Sequence, residues 1–282
     1  MMKILNSNQL MIFLFICAGV FFILGQLLRI PVSDTIFILV LLLLFFIIVV
    51  IHGWKTLGAW EFLVFFLIAF SIPLLYEYTD ALGVGGLVGC TVQYSELLGP
   101  KIGKIPYVIP LTWAMFIYCG FTMTNIIFNR IRTTNTFEEK ASLQWFMRLV
   151  GMGIVAGLIA AALDLLVDPM MVAMGAWSWS YQGSYYGIPL WNYEGWVEIP
   201  AVTFVLFSAY LNMMKRSQRF IGGEERSSYT LLVVVLYLAA FLVFVVFAVY
   251  EQVLPVILWA AIAVGSFAVV TIVRFYRSSP EI

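Results

Sequence analysis

Apolar runs of about 20 residues recur along the chain, broken by short polar stretches, at 8–28, 34–52, 59–76, 106–128, 146–167, 196–214, 229–249 and 254–273. At a helical rise of about 1.5 Å per residue, a run of this length crosses the hydrocarbon core of a bilayer. The third run is short, and a tight turn from Glu251 to Pro255 alone separates the last two. The pattern predicts an all-α fold, a polytopic transmembrane helical bundle of about eight helices. No internal repeat or low-complexity segment is evident, so residues 1–282 are expected to form a single integral membrane domain.

Composition agrees: the chain is 63% hydrophobic and 11% charged, with no net charge. A soluble domain with a large core does not look like this, and no soluble appendage of useful size remains. One basic residue, Lys3, precedes the first run and no A-x-A-like cleavage site follows it, so that run is expected to be a retained helix. Charge then orients the bundle. With eight helices and both termini cytoplasmic, Lys3, Lys55, Arg130, Arg132, Lys140, Arg148, Lys215, Arg216, Arg219, Arg226, Arg274 and Arg277 lie inside. Arg29, Lys101 and Lys104 lie outside, and an odd helix count would spoil this positive-inside bias. A multi-pass protein of the cell membrane is expected, with residues 77–105 and 168–195 on the outer face and the basic connectors 129–145 and 215–228 inside.

One of those outer loops changes the picture. The stretch from Asp164 to Trp196 holds three acids, four Trp and several Gly and Pro turn signals in a chain otherwise written for lipid. A carboxylate at membrane depth is costly, so Asp164 and Asp168 are expected to face a protein interior or cavity. Four residues apart, they share one helix face, and Pro169 is expected to end that helix immediately after them. Two stacked carboxyls in a poorly solvated place cannot both ionise cheaply, so one keeps a proton, as a general acid must. The plainer alternative is that they cap backbone groups or pair with Lys101 or Lys104.

Aromatic residues crowd the same stretch: Trp177, Trp179, Tyr181, Tyr185, Tyr186, Trp191, Tyr193 and Trp196. An interfacial anchoring belt would use the same residue types. The interruptions at Gly175, Gly183, Gly187, Pro189 and Gly195 instead suit a folded loop lining a pocket, whose aromatic faces could stabilise a cation beside the acids. The earlier loop supplies Glu77, Asp80, Tyr94, Glu96, Gly99, Pro100 and Lys101 among closely spaced glycines. Its run GVGGLVG is no phosphate loop, since G-K-[ST] and a preceding strand are missing. Glu77 is the third acid of interest, with a solvated interfacial carboxylate as the alternative. Cys17, Cys90, Cys119 and the lone His52 are scattered, so neither a disulfide framework nor a thiolate or imidazole metal site is supported, and they read as helix-packing residues.

Four motifs run in collinear order. They are Tyr94-x-x-x-Leu98-Gly99-Pro100-Lys101, Ile109-Pro110-Leu111-x-Trp113, Asp164-x-x-x-Asp168-Pro169-x-Met171-Val172-x-x-Gly175-x-Trp177-x-Trp179, and Tyr186-Gly187-Ile188-Pro189-Leu190-x-Asn192-x-x-Gly195-Trp196. Over about residues 50–215 the chain thereby resembles the membrane carotenoid biosynthesis protein family, whose characterised members are carotenoid 1,2-hydratases, including bisanhydrobacterioruberin hydratase. Where that family tends to have Y-T-D before L-G-P-K, this chain has Tyr94-Ser95-Glu96, which retains an acid.

The resemblance implies a hydro-lyase that adds water across the terminal C1–C2 double bond of an acyclic carotenoid end group, of lycopene or bisanhydrobacterioruberin type, giving a tertiary alcohol. It implies no metal and no cofactor. Its partners would be the carotenoid polyene, membrane lipid and other enzymes of carotenoid synthesis, with no nucleic acid. An alkene is a poor base and its protonation gives a tertiary cation, so the chemistry needs a dry acid, a π surface and a directed water. The implied roles are Asp164 or Asp168 as proton donor and the other acid or Glu77 orienting the water. Asn192 would bond the water or the acid, and Trp177, Trp179 and Tyr186 would flank the cation. Tyr94, Trp113, Trp191 and Trp196 would complete the substrate pocket, with Gly99, Pro100, Lys101, Pro169, Gly187 and Pro189 shaping the loops.

Three other readings compete. A carotenoid cyclase also starts by protonating an alkene. A non-enzymatic carotenoid-binding or transport protein would use the acids as a relay or cation site, but inverted repeats are lacking. A prenyltransferase would need clustered carboxylates for Mg²⁺, and the D-x-x-x-D pair has no second acid-rich motif facing it.

Overall fold

The computed structural model describes residues 34–84, 91–128, 142–214 and 229–277, together with Leu14 and Gly19. Among them are seven helices: α1 (Asp34–Leu57), α2 (Ala59–Ala81), α3 (Val108–Ile127), α4 (Leu143–Ala173), α5 (Leu190–Met213), α6 (Leu232–Tyr250) and α7 (Leu254–Arg277). Six of these, all but α3, are long and apolar enough to cross a membrane. Each of the seven coincides with an expected segment. The eighth expected segment, 8–28, lies outside the described residues apart from Leu14 and Gly19, as do Cys17, Cys90 and nearly all of the two basic connectors.

Helix α3 lies inside the bundle. All but three of its residues are buried, so protein surrounds it on every side and its side chains need not suit lipid. The outer helices do face away: Leu63, Leu67, Leu242, Leu258, Ile262 and Val269 are exposed apolar side chains, as contact with acyl chains requires. Local signals set the breaks between helices. Gly58, at φ 92°, separates α1 from α2, and the Ser142 side chain caps α4 by accepting from the Trp145 N–H at 3.1 Å.

The most extensive helix pairing is α4 with α5. They approach closely because a Cβ on Gly157 would lie 2.4 Å from the Val197 carbonyl oxygen, so only glycine fits at this crossing.

At one end of the bundle the two long loops fold onto each other. β1 (Val92–Tyr94) pairs antiparallel with β4 (Trp177–Trp179), which puts Tyr94 opposite Trp177. A second ribbon joins β2 (Lys101–Ile102) to β3 (Ile105–Pro106). The end-loop before α5 turns at Tyr186 and Gly187, both at positive φ (52° and 81°), closed by the Ile188 N–H donating to the Tyr185 carbonyl at 2.8 Å.

One sequence expectation is corrected here. Helix α4 does not stop at Pro169 but continues to Ala173. Proline lacks the N–H that would reach back to the Leu165 carbonyl. That carbonyl instead accepts from the Tyr185 hydroxyl at 3.0 Å, so the loop supplies the bond the helix cannot make.

Candidate functional site

Where the loops cap the bundle, a cavity of about 120 Å³, partly open to the surroundings, lies among α1, α3, α4 and α6. Most of its wall is apolar: Leu41, Phe45 and Val49 from α1, Met115, Phe116 and Cys119 from α3, Leu163, Val167 and Met171 from α4, and Leu236, Val243 and Phe244 from α6. Along α6 it extends from Phe247 to Leu236, about 16 Å by helical rise. Its polar groups gather beneath the loops, where Asp168, Glu77, Asn192, Tyr94, Trp113, Trp177, Trp179 and Trp196 line it.

Asp164 and Asp168 do sit one turn apart on α4, both buried, at 0% and 3% exposure. Their positions are not equivalent. Asp168 lines the cavity, whereas Asp164 is not part of its wall and stands one helical turn away. Two buried carboxyls on adjacent turns cannot both ionise cheaply, so one of them keeps a proton. Asn192, in the first turn of α5, donates from Nδ2 to both, at 3.3 Å to Asp164 Oδ2 and more closely to Asp168 Oδ2. Trp177 lines the cavity together with Asp168. Neither lysine reaches the pair: Lys101 Nζ binds Glu96 at 2.7 Å and the Tyr94 carbonyl at 2.9 Å, while Lys104 Nζ binds the Ala81 carbonyl at 3.1 Å.

Glu77, near the end of α2, forms a second centre. Its Oε1 accepts from Trp113 Nε1 at 2.8 Å and its Oε2 from the Tyr94 hydroxyl. The Trp113 ring lies against Trp196, with centroids 3.6 Å apart and planes 20° apart, which fixes the indole that holds the carboxyl. Burial first, and then the Glu77 carboxyl beside it, push the Tyr94 phenol well above its ordinary range, so it remains a donor. Across the β1–β4 ribbon, the Tyr94 ring meets Trp177 edge-on at 6.0 Å. The two paired strands therefore each contribute one aromatic residue to the cavity wall, Tyr94 and Trp177. Among the described residues, no three His, Cys, Asp or Glu side chains are grouped so as to hold a metal.

Two residues expected in the pocket lie elsewhere. Tyr186 occupies the tip of its turn and is 43% exposed, because the turn aims it outward while Tyr185 points in toward α4. Trp191 packs against Tyr181, with centroids 5.3 Å apart, and is not part of the cavity wall. Among the loop residues, Gly99 ends the short turn Glu96–Leu98 at φ 76°, and Pro100 accepts from the Tyr107 N–H at 3.0 Å. Three buried polar atoms near the acids, Asp164 Oδ1, Trp179 Nε1 and Tyr193 Oη, have no protein partner. Such atoms cost about 1–3 kcal/mol each unless something meets them.

The carotenoid biosynthesis protein family matches residues 37–266. This chain belongs to that family. The match includes both acid centres, both loops and every helix that walls the cavity, and it ties the protein to carotenoid biosynthesis. No curated protein and no solved structure matches it.

Sequence reasoning about this family member missed one polar cluster. At the opposite end of the bundle from the acids, His52 is fully enclosed rather than a simple packing residue. Its Nδ1 lies 2.5 Å from the Tyr118 hydroxyl and its Nε2 3.0 Å from the Tyr229 carbonyl, and Thr56 Oγ1 lies 2.8 Å from the same hydroxyl. An ionisable side chain within an apolar run was the available signal. The cavity-facing side of α6 was equally hidden, since its helix is apolar all round.

Proposed function

We propose that this protein is a carotenoid hydratase, adding water across the terminal double bond of an acyclic carotenoid end by acid catalysis. The observation that carries the reading is a long apolar cavity whose polar groups cluster at one end, with Asp168 facing it and Asn192 bonded to both Asp168 and Asp164. Asp168 is the proton donor, touching the substrate. Asp164 is a positioning residue that shares the proton, and Asn192 holds both in register. Protonation makes the C–H bond at C2 and leaves the tertiary cation at C1, flanked by the indoles of Trp177 and Trp179. Water then forms the C–O bond and loses its proton, and the net change is one alkene plus one water to one tertiary alcohol. Orphaned donors and acceptors beside the cavity, Trp179 Nε1 among them, suit a water or a product hydroxyl. The apolar remainder suits a polyene, whose tail needs only contact with hydrocarbon.

Pigment analysis by liquid chromatography and mass spectrometry, in a host making lycopene or its elongated relatives, tests this. Wild-type protein should add about 18 Da per modified end, one water for each alkene protonated. Asp168→Asn should abolish the gain and Asp164→Asn should reduce it by roughly 100-fold, the usual scale of general acid catalysis. A product of unchanged mass but shifted retention would replace hydration with cyclisation, in which a neighbouring double bond captures the same cation.

A further inference from the structure

The two carboxyl centres differ in what their hydrogen bonds demand. The aspartate pair, two buried carboxyls one turn apart that share the Asn192 amide, needs a proton to relieve its charge. Glu77 does not: each of its oxygens accepts a bond, one from an indole N–H that can only donate, the other from the Tyr94 hydroxyl. Two donors aimed at one carboxyl favour its acceptor form, the form in which it can take up a proton. Both Glu77 and Asp168 line the same cavity, on different helices. Resting on the hydratase reading, we propose that Glu77 is the base that takes the proton from the attacking water, with Tyr94 and Trp113 as the residues that position it. Acid and base are thus different residues on different walls.

The step balances. Asp168 gives its proton to C2, the π electrons form that C–H bond, and C1 becomes cationic. Water oxygen bonds to C1 and one water proton passes to Glu77. The aspartate pair ends one proton short and Glu77 one proton richer, so a single proton transfer between them restores the resting state. Tyr94 stands in the ribbon over the cavity, bonded to Glu77 on one side and edge-on to Trp177, which lines the cavity with Asp168, on the other.

Membranes carrying the protein and an acyclic polyene, incubated in D₂O, separate the two roles. Wild-type protein should give alcohol with one deuterium on the carbon beside the carbinol carbon. In Glu77→Gln the acid still works and the base does not. Alcohol should fall roughly 100-fold or more, while deuterium enters the unhydrated polyene as the cation returns a neighbouring methyl proton to Asp168. Asp168→Asn should give neither alcohol nor deuterium. Glu77→Gln forming alcohol at the wild-type rate overturns the proposal, and so does loss of both alcohol and deuterium with polyene colour retained, which would put Glu77 in the protonation step. If Glu77→Gln loses bound polyene, Tyr94→Phe carries the test: a raised ratio of deuterated polyene to alcohol supports the base role, and an unchanged ratio overturns it. Wild-type membranes giving no alcohol from any acyclic polyene overturn the hydration reading itself, and this role with it.

Discussion

A carbonyl left without its helical partner must find another donor, and at Leu165 the donor is the Tyr185 hydroxyl at 3.0 Å. The geometry links four residues of different chemistry: Pro169 frees the carbonyl, Tyr185 occupies it, and Asp164 and Asp168 lie on the same stretch of α4. Burial raises the Tyr185 phenol to about 12, so it stays a donor across the working pH range. Tyr185→Phe should therefore destabilise the protein by about 1–3 kcal/mol, the cost of leaving a buried acceptor unsatisfied. Thermal unfolding in detergent measures it. Adding Pro169→Ala should recover most of the loss, because alanine restores the N–H that reaches Leu165. A double variant no more stable than Tyr185→Phe alone would show that the tyrosine acts in some other way.

At the scale of elements, the acid pair depends on a helix crossing. Asp164 and Asp168 belong to α4 and Asn192 to α5, so their hydrogen bonds exist only while those helices stay in contact. Contact is set about two turns away, where Gly157 faces the Val197 carbonyl. A methyl there meets backbone rather than a flexible side chain, and overpacking of that kind costs about 1–3 kcal/mol. Gly157→Leu should force the helices apart and lower hydration more than it lowers expression, whereas Gly151→Leu, with open space around its position, should leave both near wild type. Equal losses in the two variants would mean that side-chain size, and not the crossing, is responsible.

For the whole molecule, the decisive feature is that helices distant in sequence wall one cavity. Ala240 on α6 lines it, while Leu242, two residues on, is exposed on the outside of the bundle. Ala240→Trp should fill the cavity and remove both bound polyene colour and product. Leu242→Trp, facing lipid, should change neither, and absorbance of the purified protein with product analysis reads both. Loss of colour in both variants would place the polyene outside this cavity. The amino-acid sequence alone determined the helical segments and the family motifs, because apolar length is a local property and each motif lies within one segment. It also marked Asp164, Asp168 and Glu77, because a carboxyl in an apolar chain is conspicuous without any neighbour. The tertiary structure decided which aspartate faces the cavity, and why Tyr186 and Trp191 do not. It also decided that α4 runs through Pro169 and that His52 is bonded at the far end. Those outcomes depend on hydrogen bonds and contacts between residues tens of positions apart, which no periodicity along a single helix records.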